Sequence, residues 1–78
     1  KLLITDFKTE LQELVQRKKD QVIHYALTGE TGPDHDKQFT VEVCVNGKCV
    51  GKGIGSSKKR AEQDAAHKAI AALFPEAL

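Results

Sequence analysis

The sequence predicts an α+β domain of order α-β-β-β-α: a three-stranded antiparallel sheet with two helices packed on one face. Three observations carry that expectation. Phe7, Leu11, Leu14 and Val15 fall at i, i+4, i+7 and i+8, which is the apolar stripe of an amphipathic helix. Phe39, Val41, Val43 and Val45 alternate strictly with Thr40, Glu42 and Cys44, and the run ends in Asn46-Gly47, a strong hairpin-turn signal. Glycines at 51, 53 and 55 lead to Ser57, and an alanine-rich helical stripe follows until Pro75.

Taken in order, residues 1–5 are expected to be the end of a linker, 6–75 the domain and 76–78 a C-terminal tail. Asp6, or Thr5 before it, can cap a first helix running to about Arg17. Opposite its apolar stripe lie Thr9, Gln12, Glu13 and Gln16, uncharged or acidic and able to hydrogen bond. By periodicity alone this second stripe is an ordinary solvated face. After the polar break at 17–20, residues 22–28 read as a strand. Gly29 to Gln38 reads as a loop turning at Gly32-Pro33-Asp34-His35, longer than the usual hairpin connection. Loops of that kind often carry function.

A second strand spans 39–45 and a third about 49–54, its glycines marking where a helix packs closely on the sheet. The last helix starts behind Ser57, a good N-cap, and runs to about Phe74, roughly 25 Å at 1.5 Å per residue. Ala61, Ala65, Ala69 and Leu73 form its expected buried stripe, widened by Ala66, Ile70 and Ala72. Lys58, Lys59 and Arg60 occupy its first turn, where the helix dipole prefers acidic residues. A sequence that accepts that cost offers positive charge to an anion, and a polyphosphate backbone is the first candidate.

Composition limits the alternatives. The 78 residues make one domain, 40% hydrophobic and 29% charged, ordinary for a globular fold and unlike a disordered tail. The apolar runs are far short of a membrane span, and Leu2-Leu3-Ile4 is too short for a signal-peptide core. Net charge is only +1, but Lys52, Lys58, Lys59, Arg60 and Lys68 cluster against Glu62 and Asp64 alone. Local clustering of this kind is the footprint that matters for nucleic acid. Cys44 and Cys49 suggest no disulfide framework, and a reducing cytoplasm is the natural compartment. A two-residue turn at Asn46-Gly47 would make them face each other, whereas a three-residue loop would point them to opposite sides. The three-residue loop is favoured, because it puts Cys49, Gly51 and Gly53 on the valine face.

Other chemistries find little support. Cys44, Cys49, His24, His35 and His67 have no recognised metal-ligand spacing. Gly51-x-Gly53-x-Gly55 misses the dinucleotide fingerprint, since position 56 is serine and no βαβ unit surrounds it. Asp6, Glu10, Glu13 and Asp20 are scattered carboxylates, and nothing resembles a nucleophile elbow or a triad. No catalytic or metal-binding residue is expected. Phe7, Tyr25 and Phe39 fall at core positions and Phe74 closes the last helix, so no base-stacking platform for single strands is evident. Among nucleic acids this favours a duplex, read by backbone and shape.

The segments Thr9-x-Leu11-Gln12-Glu13, Tyr25-x-Leu27, Gly32-Pro33-x-His35, Phe39-x-Val41-x-Val43 and Gly53-x-Gly55-x-Ser57-Lys58-Lys59-x-Ala61-Glu62-x-x-Ala65-Ala66 together resemble the double-stranded RNA-binding domain. The resemblance covers nearly the whole chain, in order. Asp6-x-Lys8-Thr9-x-Leu11-Gln12-Glu13 and Ala61-Glu62 are most similar to the C-terminal domain of bacterial ribonuclease III. Two departures stand out: Ile23 replaces a frequent proline, and Glu62 replaces a frequent third lysine.

The resemblance implies three contact regions. Thr9, Gln12 and Glu13 would meet 2′-hydroxyls and base edges in one minor groove. Pro33, Asp34 and His35 would enter the next, and Ser57, Lys58 and Lys59 would bind phosphates across the intervening major groove. Such domains span about 16 base pairs. It further implies a chain that is non-catalytic alone and monomeric, with no cofactor. Its parent would be a cytoplasmic, RNA-processing endonuclease (a hydrolase) that dimerises through a separate nuclease domain using Mg2+. Two alternatives share the fold: a non-enzymatic RNA-binding protein and a protein-interaction module.

Overall fold

The computed structural model describes residues 6–18 and 20–78, so the linker end expected at 1–5 lies outside it. The element order is α1 (Phe7–Val15), β1 (Ile23–Thr31), β2 (Gln38–Val45), β3 (Lys48–Gly55) and α2 (Lys58–Leu73), with short 3-10 turns at Asp34–Asp36 and Pro75–Ala77. The strands form one antiparallel sheet in the order β1-β2-β3. Both helices cover the same face. Leu11, Leu14 and Val15 of α1 meet Val41 and Val43 of β2 and Ala61, Ala65, Ala66, Ala69 and Ile70 of α2 in a single core. Burying large aliphatic side chains such as Leu11 and Ile70 contributes about 1.5–3 kcal/mol each.

Asp6 caps α1, accepting from the Thr9 backbone N–H at 3.2 Å. The helix stops at Val15, short of Arg17. Its end tightens, the N–H groups of Arg17 and Lys18 bonding back three residues to Leu14 and Val15.

β1 runs further than its sequence suggests. Leu27 pairs with Val41 and Gly29 with Thr40, so Thr28 is the extra residue of a β-bulge. Beyond it pairing continues to Thr31 and Gln38. The long loop expected from Gly29 to Gln38 therefore contracts to residues 32–37.

The hairpin at Asn46-Gly47 reconciles two arrangements that seemed exclusive. Both residues have positive φ, 54° and 83°, as a tight two-residue turn requires. Cys44 therefore lies opposite Cys49, contrary to the favoured three-residue loop. Their sulfurs are bonded, with the Cα atoms 3.7 Å apart, so these cysteines are not the free thiols expected. A register shift just beyond, between Val43 and Cys44, then returns Gly51 and Gly53 to positions opposite Val43 and Val41 on the helix side. In a reducing compartment the same pair stands as two thiols.

α2 lies directly on β3. A methyl group built on Gly53 would fall on the backbone nitrogen of Ala65 and the carbonyl oxygen of Ala61. Alanine on one side and glycine on the other let the two backbones touch. β3 is an edge strand, and Asp64 of α2 accepts the Ile54 N–H at 2.9 Å. Two expected core positions are not buried. Ala72 is exposed and Leu73 is 42% exposed.

Candidate nucleic-acid interface

The first turn of α1 is held by α2. Gln63 accepts the Phe7 N–H at 2.7 Å and donates to Asp6 at 2.9 Å, while Lys8 pairs with Glu62 at 2.7 Å. Gln63 thus works as a second cap on a helix 56 positions away in sequence. Hydrogen bonds from Gln63 and Thr9 hold the Asp6 carboxyl down at about 2. Thr9, Gln12 and Glu13 are all exposed on the side of α1 away from the core. The Thr9 hydroxyl donates to Asp6 at 2.9 Å, which leaves its oxygen lone pairs, not its proton, for an outside group.

Gln12 also lines a cleft of about 190 Å³ between α1 and β1, with Lys8, Gln16, Ile23 and Tyr25. The Lys8 ammonium sits 4.9 Å from the centre of the Tyr25 ring. Burial, and behind it the negative charges of Glu62 and Asp6, push the Tyr25 phenol up to about 12. Its hydroxyl is buried and makes no hydrogen bond to another described residue.

The β1–β2 loop owes its shape to two features. Gly32 has φ of 93°, and a side chain there would strike the Asp36 carbonyl oxygen. The Asp36 N–H bonds to the Pro33 carbonyl at 2.9 Å, which closes the Asp34–Asp36 turn. Pro33, Asp34 and His35 are presented to solvent at its tip. A Lys37–Glu30 ion pair at 3.2 Å clamps its base.

The start of α2 sits at the same end of the sheet. Phe39 pairs with Glu30 on one side and with Gly55 on the other, so the loop after β1 and the turn after β3 leave together. Ser57 caps α2 by accepting the Arg60 N–H at 3.1 Å. Lys58 and Lys59 are exposed and, among the described residues, neither is within ion-pair distance of a carboxylate. Lys68, counted above with the basic cluster, is tied to Asp64 at 3.0 Å and contributes no free charge. Burial works against the Asp64 charge, but the Ile54 N–H and Lys68 outweigh it and hold the carboxyl below its ordinary value.

All nine sequence-predicted residues are thus surface groups on the helix side or at one end of the sheet. Sequence reasoning missed Lys8, Gln63 and Glu62 as the stitches that set α1 against α2. Only the helical spacing of Glu62 and Gln63 off the alanine stripe hinted at them.

No metal centre is built among these residues: no group of three or more His, Cys, Asp or Glu among the described residues could hold an ion. Asp6, Glu62 and Asp64 are already engaged as described above. Among the described residues, no helix is long and apolar enough to cross a membrane.

An α-β-β-β-α domain with these exposed polar, loop and lysine groups defines a class of small duplex-binding modules. The model for the double-stranded RNA binding motif matches residues 7–73, and the chain belongs to that family. It is 54% identical over 73 residues to Ribonuclease 3 of Listeria monocytogenes serovar 1/2a, covering 94% of this chain and 32% of that protein. It is 57% identical over 68 residues to Ribonuclease 3 of Streptococcus pneumoniae, covering 87% of this chain and 29% of that protein. The chain therefore spans about a third of the length of the curated relatives it matches. A solution structure of both dsRBDs of DRB4 with their linker superposes with TM-score 0.62 at 32% identity, over 90% of this chain and 45% of that one.

Proposed function

We infer that this chain binds double-stranded RNA by shape, as the substrate-binding part of a ribonuclease III-type endoribonuclease. The observation that carries this reading is the family match together with an unpaired lysine pair at the start of a capped helix. In this reading Ser57, Lys58 and Lys59 bind phosphates across a major groove, joined by the backbone N–H groups at the helix start. Thr9, Gln12 and Glu13 meet the 2′-hydroxyls of one minor groove, and Pro33, Asp34 and His35 those of the next. A 2′-OH can donate to the Glu13 carboxylate and to the Thr9 oxygen, and DNA lacks that donor. Cleavage, its Mg2+ and homodimerisation belong to a nuclease domain outside these residues, in a cytoplasmic protein.

The test is a titration of a plain RNA duplex at several salt concentrations, against Lys58→Ala/Lys59→Ala. Each lost phosphate contact removes on the order of 0.9 from the slope of log affinity against log salt, so two remove about 1.8. Between about 50 and 200 mM salt the original chain should then lose roughly tenfold more affinity than the variant. Unchanged affinity and slope would remove the phosphate role. Glu13→Ala should narrow the preference for RNA over a DNA duplex of the same sequence, and equal discrimination would reject the 2′-OH assignment.

A further inference from the structure

The end of the domain opposite the lysine pair carries a groove of about 380 Å³ that the RNA-binding reading does not use. Its floor is apolar: Val15 from α1, Val45 and Val50 from the hairpin strands, and Leu73 and Phe74 from the end of α2. Leu73, 42% exposed, lines it from the end of α2 beside Phe74. Its rim is cationic, formed by Arg17, Lys18 and Lys48. All three are exposed and, among the described residues, none lies within ion-pair distance of a carboxylate.

We propose that this groove docks an acidic peptide segment of another protein or domain, with a leucine-sized side chain seated on Leu73 and Phe74 and carboxylates facing Arg17, Lys18 and Lys48. The size lies within the range of occupied ligand clefts. An apolar centre inside a charged rim is the arrangement by which an aliphatic or aromatic anchor is held and desolvated. A second nucleic-acid strand fits less well. It would satisfy the cations, but a duplex presents sugars, phosphates and base edges, and has no apolar knob to fill the floor. The groove and the lysine pair can be occupied together, since Leu73 and Lys58 lie at opposite ends of α2.

The experiment uses the 78-residue chain and a fluorescent peptide of two leucines and a phenylalanine flanked by glutamates, followed by anisotropy, with the same peptide carrying lysines as control. Saturable binding of the acidic peptide alone is expected. It should weaken at least tenfold with Arg17→Glu/Lys18→Glu/Lys48→Glu, and again with Leu73→Asp at a position that already tolerates water. Amide NMR shifts should centre on Val45, Val50 and Leu73, and excess RNA duplex should leave the peptide bound. Equal binding of the lysine peptide, no effect of either variant, or displacement by the duplex would overturn the proposal. So would no saturable binding, or a peptide-free dimer abolished by Leu73→Asp, which would make a second copy the occupant.

Discussion

Gly53→Ala is the sharpest test of how this fold is held together. The added methyl would overlap the Ala65 nitrogen and the Ala61 oxygen, both backbone atoms of α2 with no rotamer to give. Ordinary carbon contacts lie at about 3.5–4.0 Å, so the helix must retreat by an ångström or more. That retreat loosens the contacts of Ala61, Ala65 and Ala69 along β3, and a gap of about 0.5–1 Å forfeits a quarter to a half of each dispersion well. Overpacking of this kind costs about 1–3 kcal/mol and occasionally more, and the rigid partner puts this site at about 3. For a domain of this size that is a fall in Tm of roughly 12–24 °C. Gly29→Ala is the matched control: its methyl would meet Thr40 at an ordinary 3.7 Å, and its φ is not positive. It should be neutral or slightly stabilising, by up to about 1 kcal/mol. Urea and thermal unfolding followed by circular dichroism measure both. If the two variants unfold within about 1 kcal/mol of each other, backbone-on-backbone packing is not what seats α2.

Three further outcomes follow from the contacts. Asp6 sits at about 2 against an ordinary 3.8, so its contribution is complete above about pH 4 and lost as pH falls through about 2; Asp64 is lowered too and adds to the loss on acidification. Urea midpoints should drop across that window, and less steeply in Asp6→Asn; identical pH profiles would deny Asp6 its part. Gln63→Ala removes the bonds to the Phe7 N–H and to Asp6, at about 1–2 kcal/mol in total, and should lower RNA affinity together with stability. Full stability in that variant would show that α1 docks without the stitch. Cys44 and Cys49 are five positions apart, so their bond closes a short loop worth at most about 2 kcal/mol, much of it already supplied by the turn. Reduction, or Cys44→Ser/Cys49→Ser, should therefore leave a folded domain, whereas loss of cooperative unfolding would contradict this.

Element order, the position of the β2–β3 turn though not its length, the Ser57 cap, Asp6 as one of two cap candidates and the inward face of β2 were legible in the residues, because each depends on neighbours within a turn or two. The 3.6 and 2.0 periodicities report which side is buried, and Asn46, Gly47, Asp6 and Ser57 act on their own local backbone. The family pattern likewise lies in local segments, so the candidate contact residues could be named before their placement was known. What lay beyond reach depended on partners distant in sequence. The bulge at Thr28 comes from pairing with β2, and it turned an expected long loop into strand. A second register shift let Cys44 meet Cys49 while Gly51 and Gly53 still faced the helix, a combination that no simple alternation contains. Leu73 looked buried by spacing, but in the folded domain it lines an open groove and is 42% exposed. Gln63 and Glu62 could be assigned to α1 only once α2 lay beside it, since hydrogen bonds across 56 positions leave no local trace.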